Sequence, residues 1–194
     1  MTKTNTELRA AARETLSGNW TNIVIATLVF IIISSAVSFI PVIGSIFIGI
    51  PLAFCYAILL LNFFRDKNSE GLIEKLFAPL KENYVRTLSI SFLVMIYTIL
   101  WSLLFCIPGI IKAYSYAMTF FISKDRPELT ADECINESMK MMNGHKMRLF
   151  LLDLSFIGWI LLACLTFGIG FFWLQPYMQT ARVAFYEDLR NQVR

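Results

Sequence analysis

The sequence predicts an all-α integral membrane protein: a polytopic bundle of six transmembrane helices in three outward-facing hairpins, with short amphipathic helices on the cytoplasmic side. Three observations predict it. Of 194 residues, 57% are hydrophobic and 16% charged, with a mean hydropathy of +0.62, outside the usual range for a soluble domain. Apolar runs of about 18 residues or more recur along the chain, long enough to cross the roughly 30 Å hydrocarbon layer as helices. The basic residues, finally, gather at alternate ends of those runs.

In chain order the spans are 22–40, 45–64, 87–107, 109–123, 149–166 and 169–185. The fourth is short and carries Lys112, the fifth holds Asp153, and the sixth holds Pro176 and Arg182. A cleavable signal peptide competes for the first run, because Ser34, Ser35, Ala36 and Ser38 supply small residues near its end. The long leader and the five further spans favour a membrane anchor instead.

Every Lys and Arg except Lys112 lies before the first span, between the second and third, between the fourth and fifth, or in and after the sixth. The turns around 41–44, 108–109 and 166–170 carry no charge. Since Lys and Arg in short loops stay cytoplasmic, both termini are expected in the cytoplasm. The net charge of +3 is this bias and not a nucleic-acid footprint, because no basic run is dense enough to follow a phosphate backbone.

Amphipathic helices are expected at 5–17, 70–81 and 131–143. Thr4 with Glu7, and Thr130 with Glu133, fit the capping box that satisfies the orphan amides of a helix start. Leu72, Ile73, Leu76, Phe77 and Leu80 recur at helical spacing in the second segment, and Gly144 predicts a stop for the third. Such helices lie along a membrane surface or pack under the bundle.

The chain also divides into loosely similar thirds: amphipathic segment, polar joint, span, turn, span, and an aromatic-then-charged exit. The joints begin at Leu16, Leu80 and Met142, and the exits read FFRDK from Phe63, FFISKDR from Phe120 and FYEDLR from Phe185. Shared interface chemistry in any multi-hairpin protein produces some of this, so true duplication stays open.

Polar residues inside spans are the candidate functional residues, because they are expensive in hydrocarbon. Asp153 and Arg182 stand at nearly equal separations on either side of Gly168. At about 1.5 Å rise per residue both lie roughly 21–23 Å below that turn, which predicts an ion pair. Gln175, Gln179, Arg182 and Tyr186 form one stripe, and Lys112, Ser115 or Tyr116, Thr119 and Ser123 another. Facing stripes either line a cavity, opened by Pro176, or hold helices together. Lys112, about one turn below the outer surface, is either an interface anchor or a cation for lipid phosphate or an anionic substrate.

Four cysteines without a CxxC, and His145 as the single histidine, predict no metal site and no cofactor. A Cys106–Cys164 disulfide is left open beside the commoner outcome of buried free thiols. No HExxH, GxSxG or intramembrane acid pair is present, which argues against catalytic residues and an enzyme.

The stretches LWSLLFCIPGIIKAYSYAM from Leu100, NESMKMMNGHKMRLFLLDLSFIGW from Asn136 and LTFGIGFFWLQPYMQTARVAFYEDL from Leu165 resemble an uncharacterised family of multi-spanning bacterial membrane proteins, a domain of unknown function. More distantly, the Pro-Gly element, the basic residue of span four and the Ser-x-x-x-Met-x-Gly helix are similar to the membrane domain attached to some glycerophosphodiester phosphodiesterases; nothing resembles their catalytic barrel. The resemblance implies a bacterial inner-membrane protein and no activity. The expected function is a non-catalytic membrane or envelope factor acting through lipid or protein contacts, alone or as a homo-oligomer. The alternative is a small transporter or channel with a polar cavity between spans four, five and six.

Overall fold

The structure, a computed structural model, describes residues 3–38, 45–104 and 106–193. Among these every regular element is helical: α1 (Asn5–Leu16), α2 (Trp20–Ser38), a π-helical turn (Ser45–Gly49) leading into α3 (Ile50–Asp66), α4 (Leu72–Leu104), α5 (Cys106–Tyr116), α6 (Thr119–Asp125), α7 (Ala131–Met141), α8 (Lys146–Leu154), α9 (Ile157–Leu165) and α10 (Phe171–Val193). Four stretches are long and apolar enough to cross a membrane: Trp20–Val37, Phe47–Asp66, Leu72–Leu103 and Lys146–Leu165. The expected fourth span falls short because α5 and α6 are separate helices, and α10 because its charged and amide side chains bring it close to neutral hydropathy. The expected turn at 41–44 lies outside the described residues.

Each amphipathic segment forms for a local reason. In α1, Thr4 accepts from the Glu7 amide while the Glu7 carboxylate accepts from the Thr4 amide (2.6 Å), and Thr130 with Glu133 repeats this box at the start of α7 (2.7 Å). Gly144 follows α7 at φ +80°, a left-handed turn that a residue with a Cβ rarely adopts. The second segment is the first part of α4, which bends at Asn83 (φ −157°, ψ 81°). There the Asn83 side chain accepts from the Arg86 amide (3.0 Å), capping what is in effect a new helix.

These segments pack along the helices of the bundle. Leu72 and Leu76 of the second segment are buried, and the segment runs against α3. The α7 helix runs along α4, α5 and α6: Tyr97 donates to Asp132 (2.9 Å), and Arg126 pairs with Glu137 (3.4 Å). The α1 helix runs along α10 and touches α8, burying Leu8, Ala12 and Leu16 completely. Its Arg9 lies over the Phe156 ring (5.2 Å) and its Arg13 over the Tyr177 ring (5.9 Å). The second segment thus packs on the helix before it, α7 on α4, α5 and α6, and α1 on α10.

Breaks in the helices are made by these partners. Between α5 and α6 the Met118 amide is taken by the Ser138 hydroxyl (3.2 Å), which itself donates to the Ser115 carbonyl (2.8 Å). Pro108 and Gly109 are not the turn between α4 and α5, as expected; they sit in the first turn of α5, where proline is tolerated. Gly109 is required for closeness: a Cβ there would stand 2.5 Å from Ser102 Oγ and 2.6 Å from its Cα. Gly170 meets Ala163 in the same way, its Cβ position 2.9 Å from the Ala163 Cα.

The most buried long helix is α3, whose residues from Leu52 to Phe63 are almost all core. At its end the three exits meet. Arg65 binds Asp125 (2.6 Å) and Glu187 (2.6 Å), Arg190 reaches Asp125 (3.3 Å), and Tyr186 donates to Asp125 (2.8 Å). Phe63, Phe121 and Phe185, one aromatic from each exit, are buried behind this cluster. Beside it Arg148 binds Asp188 (2.5 Å), which also accepts from the Lys3 amide (3.3 Å), tying the start of the chain to α10.

Candidate functional site

A cavity of about 430 Å³ opens between α2, α3, α4, α5, α6 and α10. Its polar lining is Gln175, Gln179 and Arg182 of α10 together with Tyr56, Thr98 and Tyr116; its apolar wall includes Phe30 and Phe120. The spacing of the three α10 residues explains why they share it, since positions four and seven apart fall on one helical face. Among the described residues neither Gln175 nor Gln179 makes a side-chain hydrogen bond, so both carboxamides are available to a ligand.

Arg182 is not available in that way. Its Nε and Nη2 donate to Asp153 Oδ1 (3.1 Å) and Oδ2 (2.9 Å), a two-bond fork of the kind that makes arginine–carboxylate pairs strong. The pair joins α8 to α10. Tyr114 of α5 adds a third helix by donating its hydroxyl to Asp153 Oδ2 (3.1 Å). With its charge neutralised in place, Arg182 acts on the cavity as a dipole and not as a free cation.

The second expected stripe splits up. Tyr116 lines the cavity with the α10 residues, whereas Ser115 is buried and donates to the Ile111 carbonyl (2.9 Å). Thr119 is fully buried and its hydroxyl has no partner among the described residues. Lys112 is engaged elsewhere: its ammonium lies 4.5 Å from the Trp101 ring, a cation–π contact, and 3.9 Å from Met139 Sδ. Nor does Cys164 form the disulfide left open above; it is a free, exposed thiol, while Cys55 and Cys134 are buried free thiols.

Two tyrosines carry contacts that no sequence pattern announces: Tyr56, which lines the cavity, and Tyr114, which holds Asp153 beside it. Thr27 spends its proton on the Ile23 carbonyl (2.8 Å), so the Tyr56 hydroxyl is the donor in the 2.9 Å contact between them. Phe30 stacks on Tyr56 with centroids 4.5 Å apart. Tyr56 and Tyr114 were hidden because a tyrosine in an apolar run reads as an ordinary aromatic. The available signal was their pairing with Thr27 and Asp153, each placed only by the fold. Chemically the lining offers hydrogen bonding in an apolar shell, the makeup of a binding cavity. Among the described residues no cluster of three metal-ligating side chains occurs.

Compared with known proteins, the chain matches no curated protein and no solved structure. The model of one family, described as a protein of unknown function, matches residues 1–119 and 103–193, which together take in nearly the whole chain. The chain belongs to that family, DUF975.

Proposed function

We propose that this DUF975 member is a multi-pass protein of the bacterial inner membrane that works without catalysis, through contacts with lipid. In this reading both termini are cytoplasmic, and α5–α6 and α10 join the four long apolar stretches as membrane-inserted segments, giving three outward hairpins. One observation carries the reading: large apolar side chains stand exposed around the two described hairpin tips, with Leu103 at 81%, Ile107 at 73%, Leu165 at 79% and Phe167 at 101% exposure. In water such patches are liabilities; in a bilayer they are the lipid-facing surface. The opposite ends of the same hairpins close in the ionic cluster of Arg65, Asp125 and Glu187.

Alkaline carbonate washing of membranes from cells expressing the chain tests this. Retention in the pellet, with reporters fused at both termini active only in the cytoplasm, is the expected result. Release into the supernatant contradicts it.

A second reading, a small transporter, is favoured by one specific feature, the unpartnered Gln175 and Gln179 in the 430 Å³ cavity. The Asp153–Arg182 fork weighs against it, because a coupling site needs a charge free to change partners.

A further inference from the structure

Three of the polar groups that line the 430 Å³ cavity are already spent. Tyr56 donates to Thr27 (2.9 Å), Thr98 donates to the Val94 carbonyl (2.7 Å), and Arg182 is forked onto Asp153. Gln175 and Gln179 are not spent, and both are partly exposed to the cavity. Among the described residues no charged side chain except Arg182 lines it, so a charged ligand would find no free counter-charge. The ligand that fits is neutral and makes two hydrogen bonds.

The walls and the depth narrow the class further. Five lining side chains are aromatic, with Phe30 stacked on Tyr56 at 4.5 Å, and aromatic faces favour a flat, electron-poor ring. Gln175 and Gln179 stand one turn apart on one face of α10, with about 6 Å of rise between them. Two carbonyl oxygens at opposite edges of a six-membered ring have a similar spacing. In the membrane placement proposed above, the two carboxamides lie roughly 10 and 16 Å below Gly168, inside the hydrocarbon, where no phospholipid headgroup resides. Ala53 of α3 and Ala113 of α5 are the exposed members of the lining, which puts the mouth of the cavity between small side chains.

We propose that this cavity binds the ring of a membrane quinone. The Gln175 and Gln179 carboxamides donate to its two carbonyl oxygens, the ring lies against the aromatic wall, and the tail leaves past Ala53 and Ala113 into the bilayer. The carbonyls supply what the carboxamides lack in an apolar shell, since polar groups left unmet there are costly. Binding alone is proposed, without electron transfer. The proposal rests on the lipid-contact reading and names its lipid class and its site.

The test photolabels the full chain, in phosphatidylcholine nanodiscs, with an azido-benzoquinone carrying a decyl tail, and maps the labelled peptides by mass spectrometry. Label on α3, α5 or α10 is expected, competed by decylubiquinone but not by decylbenzene at the same mole fraction, because decylbenzene has the ring and tail without the carbonyls. Gln175→Met and Gln179→Met keep the length of the side chain and remove its donor. Each is expected to raise the mole fraction of probe needed for half-labelling about fivefold, the share of one hydrogen bond. Label absent from these helices, equal competition by decylbenzene, or half-labelling that neither substitution moves overturns the quinone site while leaving the lipid-contact reading intact. A chain that stays dispersed without lipid or detergent and enters no nanodisc overturns that reading, and the site with it.

Discussion

Arg65, at the end of α3, holds Asp125, at the end of α6, through two parallel hydrogen bonds of 2.6 and 2.8 Å. The same guanidinium reaches Glu187 of α10 at 2.6 Å, so one side chain bridges the exits of all three thirds. The side chains are 27%, 13% and 17% exposed, which keeps water from replacing much of the interaction.

Arg65→Gln is therefore expected to lower stability by about 2–3 kcal/mol, because it leaves two shielded carboxylates with Arg190 as their remaining cation. Arg65→Lys restores little, since a point charge cannot span both carboxylates as the fork does. Thermal unfolding in detergent, followed by circular dichroism, checks both.

The same cluster sets a pH dependence. Burial pushes the Asp125 carboxyl up, but the hydrogen bonds from Arg65 and Tyr186 outweigh it and hold the group below the ordinary carboxylate range. A lowered folded value means that its stabilisation is present above the unfolded value, near 4, and is lost as the pH falls through the folded one. Melting temperature is expected to fall between pH 5 and pH 3, and Asp125→Asn to flatten that part of the curve. A curve that Asp125→Asn leaves unchanged contradicts this assignment.

A cycle on Asp153 and Arg182 gives a smaller number. The fork geometry is good, but Arg182 is 37% exposed, so a coupling of about 1 kcal/mol is expected between Asp153→Asn and Arg182→Gln. Tyr114→Phe is expected to weaken that coupling by removing the third partner of the carboxylate.

Gly109→Ala tests the close approach of α4 and α5. The new methyl would fall within 2.6 Å of Ser102 backbone, which no rotamer change relieves, so destabilisation of about 1–3 kcal/mol is expected. Gly158→Ala, at a helical glycine with open space around it, is the matched control and is expected to be neutral or mildly stabilising.

Much of this architecture was legible in the residues. Two capping boxes announced α1 and α7, and equal separations from Gly168 brought Asp153 to Arg182, because helical rise is constant. What stayed hidden depends on partners distant in the chain. Ser138 interrupts the expected fourth span, and nothing near Met118 in sequence reveals that. The rings that Arg9 and Arg13 cover, Phe156 at the start of α9 and Tyr177 on α10, are likewise more than a hundred residues away in the chain. The Gln175 and Gln179 stripe was readable as a helical face, whereas the tyrosine that meets it, Tyr56, lies more than a hundred residues away.

Cysteine accessibility in intact membranes tests the central claim most directly, on a chain with Cys55, Cys106, Cys134 and Cys164 replaced. Single cysteines at Gln175, Gln179, Phe167 and Lys3 are challenged with a membrane-impermeant thiol reagent from each side. A lipid-contacting bundle that carries no solute predicts labelling at Lys3 from the cytoplasmic side, at Phe167 from the outer side alone, and protection of Gln175 and Gln179 from both. Labelling of Gln175 and Gln179 from either side would contradict it, and would make the cavity between α2, α3, α4, α5, α6 and α10 a water-filled path.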